Sequence, residues 1–186
     1  MKILLIRHGK TSGNLDNRYI GRTDEPLCAE GVFELHHIHY QKCDVLVSSP
    51  MQRCVQSAGI LFPEQQIQIC DAFRECDFGD FECKNYAELN GNKDYQHWVD
   101  SGGLLPFPNG ESPDDFRKRC CDAFLQITAE YSDVDSIAFV VHGGTIMSIL
   151  SQFAMPQRGF YDWLTANAHG WQCTFEDHII RITEKL

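Results

Sequence analysis

Arg7-His8-Gly9 closes an apolar run, Ile3-Leu4-Leu5-Ile6, that has the length of a β-strand. An arginine beside a histidine suits the capture of an anion and reaction with it, and the glycine lets the backbone turn there. The pattern returns at Val141-His142-Gly143-Gly144, again an apolar run, then histidine, then glycine. Gly143 and Gly144 leave backbone N–H groups open where a helix should begin, which is a natural anion site. Arg53 stands in the first turn of another helical stretch. Two imidazoles, two guanidinium groups and open amides at one place describe a phosphate pocket. Within it His8 is the candidate nucleophile and Arg7 its clamp.

These residues meet only if the chain delivers them to one edge. Open α/β sheets bind ligands beyond the carboxyl ends of their strands, where both histidines would fall. Asp44 to Ser48 reads as a second strand, and Ser49-Pro50 as the cap and first turn of a helix bearing Cys54, Val55, Ala58, Leu61 and Phe62. Val32, Leu35 and Ile38 predict a helix over 29–41, and Gln66 to Cys70 a third strand. Short helices are expected around Tyr86 and from Tyr95 to Val99. Ser112-Pro113-Asp114-Asp115 opens the longest helix, with Phe116, Cys120, Ala123, Phe124, Ile127 and Tyr131 as its stripe. Ser136 to Val141 is continuously apolar, as a central strand covered on both faces would be. A helix from Thr145 to about Phe153 and a terminal hairpin, Trp171–Phe175 with Ile179–Ile182, follow. Alternating strands and helices without repeat or linker predict one domain over 1–186, an α/β sandwich.

The totals narrow the partners. A net charge of −10 argues against nucleic acid, yet a local pocket of arginines would still bind a small anion, because distant charge is screened within about 10 Å. No run of about 18 apolar residues is present, so no membrane partner is expected. A cleaved leader would remove Arg7 and His8, so none is expected either. Nine cysteines, odd in number and without C-x-x-C spacing, fit a reducing cytoplasm rather than a disulfide framework. His36 and His39 are helical neighbours, but without cysteine or carboxylate partners they read as a solvated helix face and not a metal site. A monomer and a homodimer are both left open.

Leu5-Ile6-Arg7-His8-Gly9, Asn14, Gly21-Arg22-Thr23-Asp24-Glu25-Pro26-Leu27 with Gly31, Ser48-Ser49-Pro50-Met51-Gln52-Arg53, Glu75 with Phe78-Gly79, and Val141-His142-Gly143 occur in that order. The ordered set resembles the histidine phosphatases, in the branch that includes cofactor-dependent phosphoglycerate mutases. It covers about residues 3 to 150. Phe78-Gly79-Asp80-Phe81-Glu82, Tyr86, Tyr95, Trp98 and Leu105 to Ser112 resemble the alpha-ribazole phosphatase group within that branch.

The resemblance implies a three-layer α/β/α sandwich with a mostly parallel central sheet, and a phosphomonoesterase working through phosphohistidine. The implied substrate is alpha-ribazole 5′-phosphate, in assembly of the cobalamin lower ligand; another small phosphorylated metabolite is the alternative. The shortness of the chain speaks against a phosphoglycerate mutase. His8 would attack phosphorus, with Arg7, Arg53 and His142 matching the phosphoryl charge and Asn14 and the Gly143 amide adding neutral donors. Glu75 would protonate the leaving oxygen, with Asp77, Asp80 and Glu82 as rival acids nearby. No cofactor or metal is implied. Gly21 and Arg22 could touch substrate or simply anchor their loop, and Tyr95, Trp98 and Phe107 could line the substrate or pack as core. Cys28 and Cys83 depart from the threonine and glycine usual at those positions.

Overall fold

Side chains on a β-strand alternate between its two faces, and here that alternation sorts four of the helices into two layers. The computed structural model describes residues 1–186. In chain order its elements are β1 (Lys2–Arg7), α1 (Ser12–Leu15), α2 (Ala29–Leu35), β2 (Val45–Ser48), α3 (Gln52–Leu61), β3 (Ile67–Ile69), α4 (Lys93–Asp100), α5 (Pro113–Glu130), β4 (Ser136–Val141), α6 (Gly143–Phe153), β5 (Gly170–Glu176) and β6 (Ile179–Lys185). One six-stranded sheet has the order β3-β2-β4-β1-β5-β6. The pairs β1–β4, β2–β4 and β2–β3 are parallel, while β5 and β6 run antiparallel on one side.

Ile3 and Leu5 of β1, with Ile137, Phe139 and Val141 of β4, face α5 and α6 through Ala123, Phe124, Ile146, Ile149 and Leu150. The intervening residues Leu4, Ile6, Ala138 and Val140 face the other layer, where Leu35, Ala58 and Leu61 of α2 and α3 meet them. Residues 137–141 are fully buried, as a doubly covered central strand requires. Each valine, isoleucine or phenylalanine among them contributes about 1.5–3 kcal/mol on withdrawal from water. A third cluster, with Cys76, Phe81, Leu89, Phe107, Phe116 and Cys120, fastens the excursion between β3 and α5 onto α5.

Several boundaries differ from the sequence reading. α2 stops at Leu35, so His36, His37 and His39 lie exposed beyond it rather than on a helix face. Three histidines and a β-branched isoleucine are weak helix formers. Around Tyr86 the chain forms turns, because the Asn85 side chain accepts the N–H groups of Ala87 and Glu88 and competes with a helix. α5 begins as expected, with Ser112 accepting the Asp115 N–H and proline in the first turn. Cys28 caps α2 through its sulfur, 3.4 Å from the Gly31 nitrogen.

Candidate active site

The register of β1 against β4 pairs Arg7 with Val141, so His8 and His142 leave the sheet side by side. Their ring centroids lie 5.2 Å apart at an interplanar angle of 69°. Both are buried. His8 Nδ1 is 2.7 Å from the Gly9 carbonyl oxygen, which can only accept. The proton therefore resides on Nδ1, and Nε2 carries the lone pair. Burial, then Arg53 and Arg7, holds the His8 imidazole well below its usual pKa. His142 is lowered in the same way, by burial, then Arg53, His8 and Arg7. Two neutral imidazoles thus face each other at neutral pH.

His142 Nε2 stands 2.8 Å from Ser49 Oγ. Ser49 is therefore not a helix cap: α3 starts at Gln52, with Met51 preceding it and no side-chain cap bond. Cys54 Sγ lies 3.5 Å from the same nitrogen.

Arg53 is 1% exposed, and its fork is fixed by a loop. Nη1 donates to the Thr23 carbonyl at 2.8 Å, and Nη2 to those of Gly21 and Ile20 at 2.9 and 3.3 Å. Arg7 Nη1 donates to the Thr165 carbonyl at 2.7 Å. The Nε of each arginine is buried and has no protein partner. An unsatisfied buried donor costs about 1–3 kcal/mol, so two of them on charged groups at one place favour an incoming anion. Asn14 Oδ1 accepts from the Thr11 N–H and from Asn167 Nδ2, each at 3.1 Å. Asn167 Nδ2 also reaches the His8 carbonyl at 3.1 Å, tying Asn14 to the turn after β1. Gly143, the first residue of α6, lies beside the Arg7 side chain; an added Cβ would sit 3.4 Å from Arg7 Nε.

Glu75 is buried at the start of α6. Its Oε1 accepts the Cys76 N–H at 2.9 Å and its Oε2 the Gly144 N–H at 3.4 Å. Burial raises its pKa, against the lowering pull of the Cys76 N–H, Arg53 and Arg7. The other acids brace loops. Asp77 accepts from the Gly79 N–H, Asp80 from Asn109, and Glu82 from the N–H groups of Gly21 and Thr23. Gly21 lies so close to the Cys76 carbonyl that a Cβ would come within 1.9 Å of it. It thereby brings its loop, and the carbonyls that hold Arg53, against the segment bearing Glu75. Arg22 stays outside the buried cluster: its side chain is 55% exposed, with Nε 3.8 Å from Asp77 Oδ2. In the third cluster Tyr95 and Trp98 stack on each other, Phe81 meets Tyr95 edge-on, and the buried Phe107 packs tilted against Trp98.

At one sheet edge the parallel strands β1 and β4 bring two uncharged imidazoles and the Arg7 guanidinium together with that of Arg53 from α3, a combination suited to a small anion. The family model of the histidine phosphatase superfamily (branch 1) matches residues 3–184, and the chain belongs to that superfamily. It is 26% identical over 170 residues to adenosylcobalamin/alpha-ribazole phosphatase of Escherichia coli K12, covering 87% of this chain and 83% of that one. It is 28% identical over 158 residues to the uncharacterized phosphatase PhoE of Bacillus subtilis, covering 82% and 77%. The crystal structure of a putative alpha-ribazole-5′-P phosphatase from Escherichia coli superposes with a TM-score of 0.87 at 24% identity, over 100% of this chain and 95% of that one. That likeness establishes the shared fold.

Proposed function

We propose that this protein hydrolyses a phosphate monoester through a phosphohistidine on His8, with alpha-ribazole 5′-phosphate as the leading substrate. The observation that carries the reading is the His8 tautomer: Nδ1 is committed to the Gly9 carbonyl, so a neutral Nε2 remains for attack. In the first step the Nε2 lone pair forms a bond to phosphorus while the ester P–O bond breaks. Glu75, whose carboxyl burial favours in its protonated form, gives its proton to the departing oxygen. Arg7 and Arg53, through their unpartnered Nε donors, meet the charge that spreads over the equatorial oxygens, and His142 lies beside them. In the second step Glu75, now a carboxylate, takes a proton from water, which attacks the phosphohistidine and releases phosphate and His8. Asn14 and the Gly143 amide are neutral donors at the same rim.

The substrate assignment is supported by relatives bearing alpha-ribazole phosphatase names over most of their length. Gly21 is assigned to the framework that holds Arg53, and Arg22 to the outer rim, where it is free to reach a substrate's distal part. The test is phosphate release from alpha-ribazole 5′-phosphate by wild type and His8→Ala. We expect turnover only in wild type, with an acid-labile, base-stable phosphoryl label absent from the variant. Turnover of p-nitrophenyl phosphate no faster than His8→Ala would refute catalysis. Isomerisation of 3-phosphoglycerate, without release of phosphate, would point to mutase chemistry instead.

A further inference from the structure

Arg119 lies on α5, outside the cluster of imidazoles and arginines, and each of its N–H groups has a partner. Nε and Nη2 form a fork on Glu111 Oε1 and Oε2 at 2.7 and 2.8 Å. Nη1 donates to the carbonyls of Ala72 and Arg74 at 2.6 and 2.7 Å, and Nη2 also donates to that of Glu75 at 3.2 Å. A guanidinium has five N–H donors, and these bonds use all five. Glu111 completes the arrangement from the other side. Its Oε2 accepts the Asp77 N–H at 3.3 Å, and its own N–H donates to the Asp77 carbonyl at 2.9 Å.

The segment so held has no regular structure of its own. It runs between two short 3₁₀ turns, Asp71–Phe73 and Gly79–Phe81, and no strand or helix ladder fixes residues 74–78. Its backbone groups bond to the Glu111–Arg119 pair before and after Glu75. The guanidinium carbon also lies 4.8 Å over the Phe116 ring, and Phe116 stands against Gly144, which donates to Glu75. The pair never touches the Glu75 carboxyl. We propose that Glu111 and Arg119 are positioning residues for Glu75, bolting the backbone on both sides of it to the rigid helix α5 so that its carboxyl stays aimed at the leaving oxygen. The proposal rests on Glu75 acting as the general acid.

Lysine keeps the charge of Arg119 but offers three donors at one point instead of a five-donor fork. Positioning of an acid matters most when the leaving group is basic. The experiment compares kcat/KM, which ends at phosphoryl transfer to His8 and so leaves out the later base role of Glu75, on ribose 5-phosphate, an alkyl ester, and on p-nitrophenyl phosphate, whose phenolate leaves with little help. Glu75→Gln sets the reference and is expected to lose about 100-fold in kcat/KM on the alkyl ester and far less on the aryl ester. Arg119→Lys and Glu111→Gln are expected to lose at least about 10-fold in kcat/KM on the alkyl ester. On the aryl ester the same quantity should stay within about 3-fold. In a Glu75→Gln background, Arg119→Lys should cost nothing further on the alkyl ester.

Equal losses on both esters in folded variants, or full additivity in the double variant, would overturn the proposal and leave the pair as fold support. Unfolding of both single variants would do the same. If Glu75→Gln itself shows no difference between the esters, the acid assignment fails and the positioning role falls with it. A selective Glu75→Gln beside an unselective Arg119→Lys would refute the positioning role alone.

Discussion

One carbonyl decides what His8 can do. Because Gly9 O occupies Nδ1, the ring cannot rotate its protonated nitrogen toward phosphorus without losing a buried hydrogen bond. A comparable constraint acts on the acid. A Cβ on Gly144 would stand 2.6 Å from Glu75 Oε1 and 2.9 Å from Phe116, closer than real contacts allow. Gly144→Ala is therefore expected to displace the carboxyl and overpack the site. Stability should fall by about 1–3 kcal/mol in urea melts. Turnover of alkyl esters should fall by at least about 10-fold. Gly143→Ala is the control, since its Cβ would make only an ordinary contact with Arg7. If the two variants melt alike, the steric reading of Gly144 is wrong. At this scale the sequence exposed the chemically loud residues, because arginine and histidine at strand ends have few structural uses. It hid Ser49, Asn167 and the Thr165 carbonyl. Ser49 before a proline looks like a cap, and the other two lie in a stretch with no periodicity whose place depends on contacts far away in the chain.

The elements follow local chemistry except where the backbone is asked for a positive φ. β1, β4 and α6 were legible because continuous apolar runs end at glycine, and α5 because Ser112 and Pro113 announce its start. The hairpin between β5 and β6 has two residues, Asp177 and His178, at φ of 50° and 60°, as its right-handed twist demands. Cys83 is a harder case. The family resemblance leads one to expect glycine there, and the backbone gives a reason: the residue sits at φ of 60°. An L side chain in that region costs about 1–2 kcal/mol, partly offset because glycine is looser in the unfolded chain. Cys83→Gly is thus expected to gain about 0.5–1 kcal/mol. For a chain of this size that raises Tm by a few degrees at most. The Cys83 carbonyl, which accepts from Arg18, is unaffected by the change. What would be lost is the contact of its sulfur with Thr23 Oγ1 at 3.2 Å, and a fall in Tm would mean that this contact outweighs the strain. Activity on p-nitrophenyl phosphate should stay unchanged, because Cys83 is exposed and outside the pocket.

Across the whole molecule the site imposes an energetic burden that acidification exposes. His8 and His142 are both held uncharged by burial and by two neighbouring arginines. In the unfolded chain each would bind a proton below about pH 6.5. Their folded pKa values are lowered, so between that value and the folded one the unfolded state binds protons that the native state refuses. Stability must then fall as pH falls through this window, by up to about 1.4 kcal/mol per pH unit for each histidine. Glu75 has the opposite sign. Its folded pKa is raised, so its contribution is present at low pH and is lost as pH rises through the folded value. Acidification also trims the net charge of −10, which relieves self-repulsion in any variant alike. The informative quantity is therefore a difference between proteins. His8→Asn puts an uncharged amide where the Nδ1 proton was, able to keep the bond to Gly9. From pH 7 to pH 5 the wild type should lose stability more steeply than His8→Asn. The gap in slope should approach one proton, read from urea midpoints at matched ionic strength. Parallel slopes would mean that His8 titrates normally in the native protein, and that burial and the two arginines do not hold it uncharged.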